Sequence, residues 1–330
     1  IMSSDWSSDV CSSDLHSMIR LNPQQKAAVT HLGSPLLVLA GAGSGKTRVS
    51  TEKIAWLIEG QHYRPDQIAA ITFTNKAARE MKSRIGQRLK RGGAEGLTVC
   101  TFHSLGWRIL REEPESVGRR KGLSILDQHT ASDLVRELLP PGAKNDMVYA
   151  VQAGISRYKD AGLAPQAAMA AAGDENDARS AGLYREYSER LAALNAVDFD
   201  DLIALPARLL DDPVIRTRWR RRLAYLLVDE YQDTSAAQYR LLTQMVGDLG
   251  AFTAVGDDDQ SIYGWRGARP ENLSQLAADY PNLRLVKLEQ NYRSTGKILK
   301  AANAVIACNP HEMQKRLWSE LGPGDNLTVM

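Results

Sequence analysis

The stretch that most restricts how this chain can fold is L-L-V-L-A-G-A-G-S-G-K-T, Leu36 to Thr47. Five apolar residues without a charge read as a fully buried strand. The K-T-R-V-S-T-E-K-I pattern that follows Gly45 reads as a helix. Between them the glycines let backbone N–H groups curl around phosphate oxygens without Cβ clashes, and the helix N-terminus adds its positive dipole. Lys46 would then reach β- and γ-phosphates and the Thr47 hydroxyl would ligate Mg²⁺. The strict pattern carries Gly where Ala40 stands, a change that a small residue tolerates. A relaxed match arises by chance in roughly a few per cent of chains this long. The strand–loop–helix context lowers that further, so Ala40, Gly41, Ala42, Gly43, Ser44, Gly45, Lys46 and Thr47 are the expected phosphate-binding residues.

The chain has 330 residues, enough for two or three domains rather than one. No apolar run approaches the length of a membrane span. Cys11, Cys100 and Cys308 are far apart and form no CxxC pair, which argues against a disulfide framework or a zinc site and makes a reducing cytoplasm the expected compartment. Residues 1–17 repeat Ser-Ser-Asp three times and have neither a basic nor an apolar leader region, so they are not a signal peptide. They read as a non-native extension, of the kind translated adapter DNA would give, with Met18 as the expected start. The extension carries three Asp and no Lys or Arg, so the net charge of +2 becomes +5 for residues 18–330. That mild excess permits an anionic partner without demanding one.

Further apolar runs end in Gly, Asp or Thr: Ile68–Thr74, Leu97–Phe102, Leu223–Val228, Phe252–Val255 and Leu283–Leu288. Helical patterns follow several of them, as at Lys46–Ile58 and Asn75–Leu89. Alternating strand and helix predict an α/β fold with a parallel sheet covered on both faces. Between about Leu105 and Leu210 the chain is Ala-rich and helical in period (Gln166–Ala172, Ala181–Leu194), with no convincing buried strand, which predicts a helical insertion. The arginine-rich run Arg216–Arg222 reads as a solvated helical face. In L-L-V-D-E-Y-Q-D, Leu226 to Asp233, a strand would deliver Asp229 beside the phosphate loop to hold Mg²⁺, and Glu230 to take a proton from the attacking water.

The ordered blocks LNPQQ (Leu21–Gln25), AGAGSGKTR (Ala40–Arg48), TFTNKAAREM (Thr72–Met81), TFHSLG (Thr101–Gly106), DFDDLI (Asp198–Ile203), DEYQDT (Asp229–Thr234), VGDDDQSIYGWRGA (Val255–Ala268) and LEQNYRS (Leu288–Ser294) resemble the superfamily 1 DNA helicases of the UvrD, PcrA and Rep type, the Rep branch most. The resemblance covers Met18 to Met330. It implies a RecA-like P-loop fold whose first lobe is built from residues 18–104 and 211–288, interrupted by the helical insertion 105–210. A second lobe begins at 289–330 and is cut short. It also implies ATP and Mg²⁺ as cofactors, single-stranded DNA and single-strand/duplex junctions as partners, and ATP-driven 3′-to-5′ translocation in replication or repair alongside proteins of those processes. Carried onto this sequence, it assigns Gln25 to the adenine edge, Arg48 to the nucleotide, Tyr292 to adenine stacking and Arg293 to the γ-phosphate. Phe73, Thr74, Asn75, Thr101, Phe102 and His103 become single-strand contacts.

Gln260 is a neutral donor–acceptor suited to sensing γ-phosphate and its water. Tyr263 and Trp265 offer flat faces for stacking bases, at about 1–3 kcal/mol per base, and Arg266 could tie the segment to the catalytic acids. Gln260 and Trp265 lie within roughly 18 Å along the chain, so a shift at the phosphate can move the base platform. Asp198, Asp200 and Asp201 read as a helix-start charge cluster. An alternative is that the chain is a nucleotide- and DNA-binding piece without unwinding activity. An ABC-type ATPase is unsupported, since no LSGGQ-like stretch occurs, whereas an RNA-directed relative stays open.

Overall fold

In the computed structural model, residues 21–89, 92–247, 250, 252–309 and 313–328 are described. The expected extension at 1–17 lies outside them. Eight strands follow in chain order: β1 Leu36–Ala40, β2 Ile68–Thr72, β3 Thr98–Thr101, β4 Ser124–Ile125, β5 Ala196–Val197, β6 Tyr225–Val228, β7 Phe252–Gly256 and β8 Arg284–Leu288. Six of them form one sheet in the order β3-β2-β6-β7-β1-β8, and every pairing in it is parallel.

Both faces of the inner strands β2, β6, β7 and β1 are covered, which is why these read as nearly unbroken apolar runs, whereas the edge strands β3 and β8 are only partly buried. Alternate residues divide between the faces. Leu37, Ala69, Ile71, Leu226, Val228 and Ala254 join a cluster with Leu105, Ile109, Leu202 and Trp219. On the opposite face, Leu36, Val38 and Val255 pack with Ala28 and Val49, while Ile68, Ala70 and Leu227 pack with Ile54 and Met81. Parallel strands expose all their C-terminal ends on one edge, where open α/β sheets take ligands. The ends of β2, β6, β7, β1 and β8 therefore bring Thr72, Asp229, Asp257, Gly41 and Glu289 to the same side.

A separate apolar cluster (Val135, Val148, Val151, Ile155, Tyr184, Tyr187 and Leu191 among others) is built from helices Gln128–Leu138, Asn145–Asp160, Pro165–Ala171 and Glu175–Ala193. One feature departs from the sequence reading. Within the stretch expected to hold no buried strand, β4 and β5 pair in parallel, and both residues of β5 are fully buried; two residues are too few to show a period. The acids of the D-F-D-D block stand at a helix start, as expected, and are also buried around a cation. Asp198 and Asp201 are buried and share the ammonium of buried Lys159 at 2.7 and 2.8 Å, and Tyr187 Oη donates to Asp198. The cap survives inside that network, since Asp198 Oδ1 accepts the N–H of Asp201.

The arginine run is likewise less solvated than its composition suggests. It lies on helix Pro213–Arg222 around the buried ring of Trp219. Arg216 donates to Leu210 O and Gln244 Oε1, Arg220 to Gln244 O, and Arg218 pairs with Glu113.

Candidate functional site

The loop Gly41–Gly45 leaves β1 and turns into helix Lys46–Glu59, with Gly43 and Gly45 at positive φ (73° and 93°). Its carbonyls are tethered away from the curl. Ala42 O accepts from Asn291 Nδ2 at 2.6 Å, Gly43 O from the N–H of Tyr292 at 2.9 Å and Ser44 O from Gln25 Nε2 at 2.9 Å. In a trans peptide the N–H lies opposite the C=O, so carbonyls held by Asn291 and Gln25 turn the amides of Gly43 and Gly45 the other way, as an anion cradle requires, while the N–H of Ser44 closes the turn onto Gly41 O at 3.2 Å. A side chain at Gly43 would be barred twice, by its positive φ and by Asn291 Nδ2 only 2.7 Å from an added Cβ.

Gln25 caps helix Pro23–Thr30 together with Asn22 and is almost wholly buried. Its Oε1 accepts from the N–H of Asn22 at 3.1 Å, while its amide nitrogen holds Ser44. Both ends of the expected adenine reader are thus engaged, one in capping its own helix and the other in holding the loop. Tyr292, half exposed, accepts from Asn22 Nδ2 and donates to Gln290 Oε1. Arg293 is exposed and its Cβ passes over Gly43, and Arg48 is exposed on the first helical turn. Ala40 ends β1 fully buried, with Ala42 exposed beyond it.

Lys46 Nζ sits 3.9 Å from Glu230 Oε2 and 4.0 Å from Asp257 Oδ2. Asp229 is anchored by its N–H to Ile71 O at 2.9 Å, which carries the β2–β6 ladder one residue beyond the strand. Its carboxyl is pushed up to about 6, chiefly by burial and then by the charge of Glu230, against the pull of Lys46. Asp229 Oδ1 and Asp233 Oδ1 are buried without a hydrogen-bond partner among the described residues. A buried carboxylate oxygen left unpaired is costly unless a cation or its waters complete it. A cavity of about 390 Å³ is lined by both acids with Thr47, Glu230, Gln232 and Gln260. These are hard oxygen donors, and the set fits Mg²⁺.

Glu230 takes a left-handed φ of 52°, a strained position for a side chain larger than glycine. It accepts from Gln232 Nε2 at 2.9 Å, and Gln232 Oε1 accepts the N–H of Asp257 at 2.9 Å. Gln232 therefore joins the end of β6 to the end of β7. Gln260, on the one-turn helix Asp258–Gln260, donates to Asp257 Oδ2.

From this turn the chain runs to an aromatic series. Phe73, just past β2, stacks on Tyr263 with centroids 4.9 Å apart and planes at 26°, and Trp265 lies 6.4 Å from Tyr263. Trp265 is 75% exposed, so it is not a core aromatic. The side chain of Arg266 lies outside the described residues. Thr74 is exposed and caps the next helix by accepting from the N–H of Ala77, and Asn75 opens that helix, also exposed.

The T-F-H block divides. Phe102 is buried in the core with Leu105 and Ile109, a correction to its expected place on a strand track, because its ring has no free face. Thr101 is buried and caps its helix by accepting from the N–H of Ser104. Burial holds His103 down at about 4, so its ring is neutral, and it stacks on Phe199 at 4.0 Å. Phe199 is an exposed aromatic that the sequence reading passed over. Gln232, Asn291 and Lys315 were missed as well. Gln232 and Asn291 had a signal, since each lies inside a quoted block, two residues after Glu230 and next to Tyr292; Lys315 had none.

The profile of the UvrD/REP helicase N-terminal domain matches residues 21–281. This chain belongs to the UvrD/REP helicase family. It is 52% identical over 315 residues to the ATP-dependent DNA helicase Rep of Escherichia coli K12, covering 94% of this chain and 47% of that protein. Identity is 41% to the ATP-dependent DNA helicase PcrA of Bacillus subtilis (92% of this chain, 42% of that one). It is 44% to UvrD1 of Mycobacterium bovis (92% and 41%). The chain thus spans about half the length of the curated relatives it matches. Its sheet and phosphate loop are those of the RecA-like fold of the UvrD/REP family. Among the described residues, no helix is long and apolar enough to cross a membrane.

Proposed function

We propose that this chain carries the ATP-hydrolysing and strand-gripping part of a cytoplasmic helicase that moves 3′ to 5′ along single-stranded DNA and opens duplexes at junctions, in replication or repair. One observation carries the reading. Asp257 lies 4.0 Å from Lys46, and eight residues further along the same segment Trp265 stands exposed beside the Phe73–Tyr263 stack. A change at the phosphates therefore has a short covalent route to a surface on which bases can stack.

In this reading the inward amides of the loop and Lys46 hold the β- and γ-phosphates. Thr47 and Asp229 would hold Mg²⁺, which when bound neutralises charge on the phosphate oxygens. Glu230, kept in place by Gln232, takes the proton of the attacking water, and Gln260 orients that water as a neutral donor and acceptor. Arg293 offers its guanidinium to charge building on the γ-phosphate. Tyr292, exposed, is the stacking face for the adenine, and Gln25 shapes the loop beneath it. Phe73, Tyr263, Trp265, His103 and Phe199 make up the strand track, and Thr74 and Asn75 contact the backbone at its edge.

ATP hydrolysis measured with and without single-stranded DNA tests this. Turnover should rise with DNA in the wild type, vanish in Lys46→Ala, and lose its DNA response in Trp265→Ala while ATP affinity holds. A wild type indifferent to DNA refutes the motor; a collapse of ATP affinity in Trp265→Ala refutes the platform. A second reading, a nucleotide- and strand-binding piece that unwinds nothing by itself, is favoured by the 47% coverage of the E. coli relative. Unwinding of 3′- and 5′-tailed duplexes separates the two.

A further inference from the structure

Asp257, Asp258 and Asp259 each place a carboxylate oxygen within 4.8 Å of the others at the end of β7. Three like charges at that spacing repel one another, and they also face the region in which a triphosphate would sit. Lys46, at 4.0 Å from Asp257, is committed to the phosphate side. The compensating charge comes from elsewhere in the chain. Lys315 Nζ lies 2.7 Å from Asp257, 2.5 Å from Asp258 and 2.6 Å from Asp259, with its side chain only 4% exposed. All three carboxylates surround the one ammonium, and Asp258 Oδ1 accepts a hydrogen bond from it. Burial pulls the lysine's pKa down, but its interactions with the three acids outweigh that and leave it raised, so the side chain stays charged.

Lys315 is also held on a stiff segment. Trp318 exchanges backbone hydrogen bonds with Glu289 and Asn291, the neighbouring Leu317 is clasped by Asn303, and the Leu317 side chain presses on Gly41. The same segment thus braces Asn291, which holds Ala42 O, and the stem of Arg293 above Gly43. Seating this piece delivers Lys315 to the acidic turn and Arg293 to the phosphate loop together.

We propose that Lys315 is a positioning residue for ATP hydrolysis: an internal cation that neutralises Asp257–Asp259 and so fixes the turn bearing Gln260 beside the phosphate loop. The inference rests on the ATPase reading above and adds to it a residue outside every motif block.

The test uses protein expressed from the complete gene. Affinity is measured with a fluorescent ADP analogue, hydrolysis by steady-state kinetics, and folding by thermal unfolding. Lys315→Met, which keeps the stem and loses the charge, should lower both nucleotide affinity and kcat by at least about tenfold. Adding Asp258→Asn and Asp259→Asn to Lys315→Met should return both to within about threefold of wild type, because the charge that needed compensation has gone. Lys315→Met behaving as wild type overturns the proposal, as does a triple variant as impaired as the single one. If Lys315→Met does not fold, the triple variant decides alone: folded with near wild-type affinity it supports the proposal, folded and impaired it overturns it, and unfolded it shows the lysine to be merely structural and overturns it too. A wild type that neither binds nor hydrolyses the nucleotide overturns the ATPase reading and this inference with it.

Discussion

Gln232→Ala separates what holds the site together from what does its chemistry. Gln232 is 1% exposed; its amide donates to Glu230 Oε2 and its carbonyl accepts the N–H of Asp257, each at 2.9 Å. Truncation leaves the buried Asp257 N–H without a partner, at about 1–3 kcal/mol. The lost donor to Glu230 adds no more than about 1 kcal/mol, because that carboxylate is over a third exposed and water can replace the amide. The sum, about 1–4 kcal/mol, should lower the Tm by roughly 2–15 °C for a unit of about 150–250 residues. Glu230 would no longer be fixed in its strained turn, so kcat for ATP hydrolysis should fall by at least about tenfold, while nucleotide affinity, set by the loop and Lys46, stays within about threefold of wild type. Differential scanning calorimetry and steady-state ATPase kinetics read the two effects. An unchanged Tm would refute the claim that Gln232 satisfies a buried donor; full turnover at reduced Tm would refute its positioning of Glu230.

Two further outcomes concern buried charge. Lys159→Met should destabilise the folded chain by about 3–5 kcal/mol, since Asp198 and Asp201 lose their shared cation inside the protein; adding Asp198→Asn and Asp201→Asn should recover most of it, and denaturant titration showing no recovery would refute the charge argument. Lys53 is fully buried among Ala28 O, His31 O and the rings of Trp56 and Tyr225, and burial lowers its pKa to about 7. The folded chain then binds fewer protons than the unfolded chain between about pH 7 and 10, so this group's contribution makes stability rise with pH across that window, by up to about 1.4 kcal/mol per unit. Lys53→Met should remove that slope and gain most stability near neutral pH; an identical pH profile in wild type and variant would refute it.

The legible part of this protein was the part written in local pattern. Strand β1 and its loop, the helix Asn75–Leu89 and the order of all six sheet strands along the chain follow from apolar runs, glycines and helical period, because burial on both faces of the inner strands leaves few polar interruptions. The acids at the ends of β6 and β7 were readable for the same reason, since a strand end is where a carboxylate can reach a ligand. What the tertiary structure alone decided was which groups share a charge and which rings face outward. Phe102 and Trp265 are both aromatic residues following a strand, yet one is buried in the core and the other exposed, a difference set by which neighbours pack over each. Lys159 and Lys315 look like ordinary surface lysines in the sequence; each becomes the centre of a buried acidic cluster because its partners lie on remote segments. Such pairings depend on desolvation and distance in three dimensions, and no period or motif in one dimension carries them.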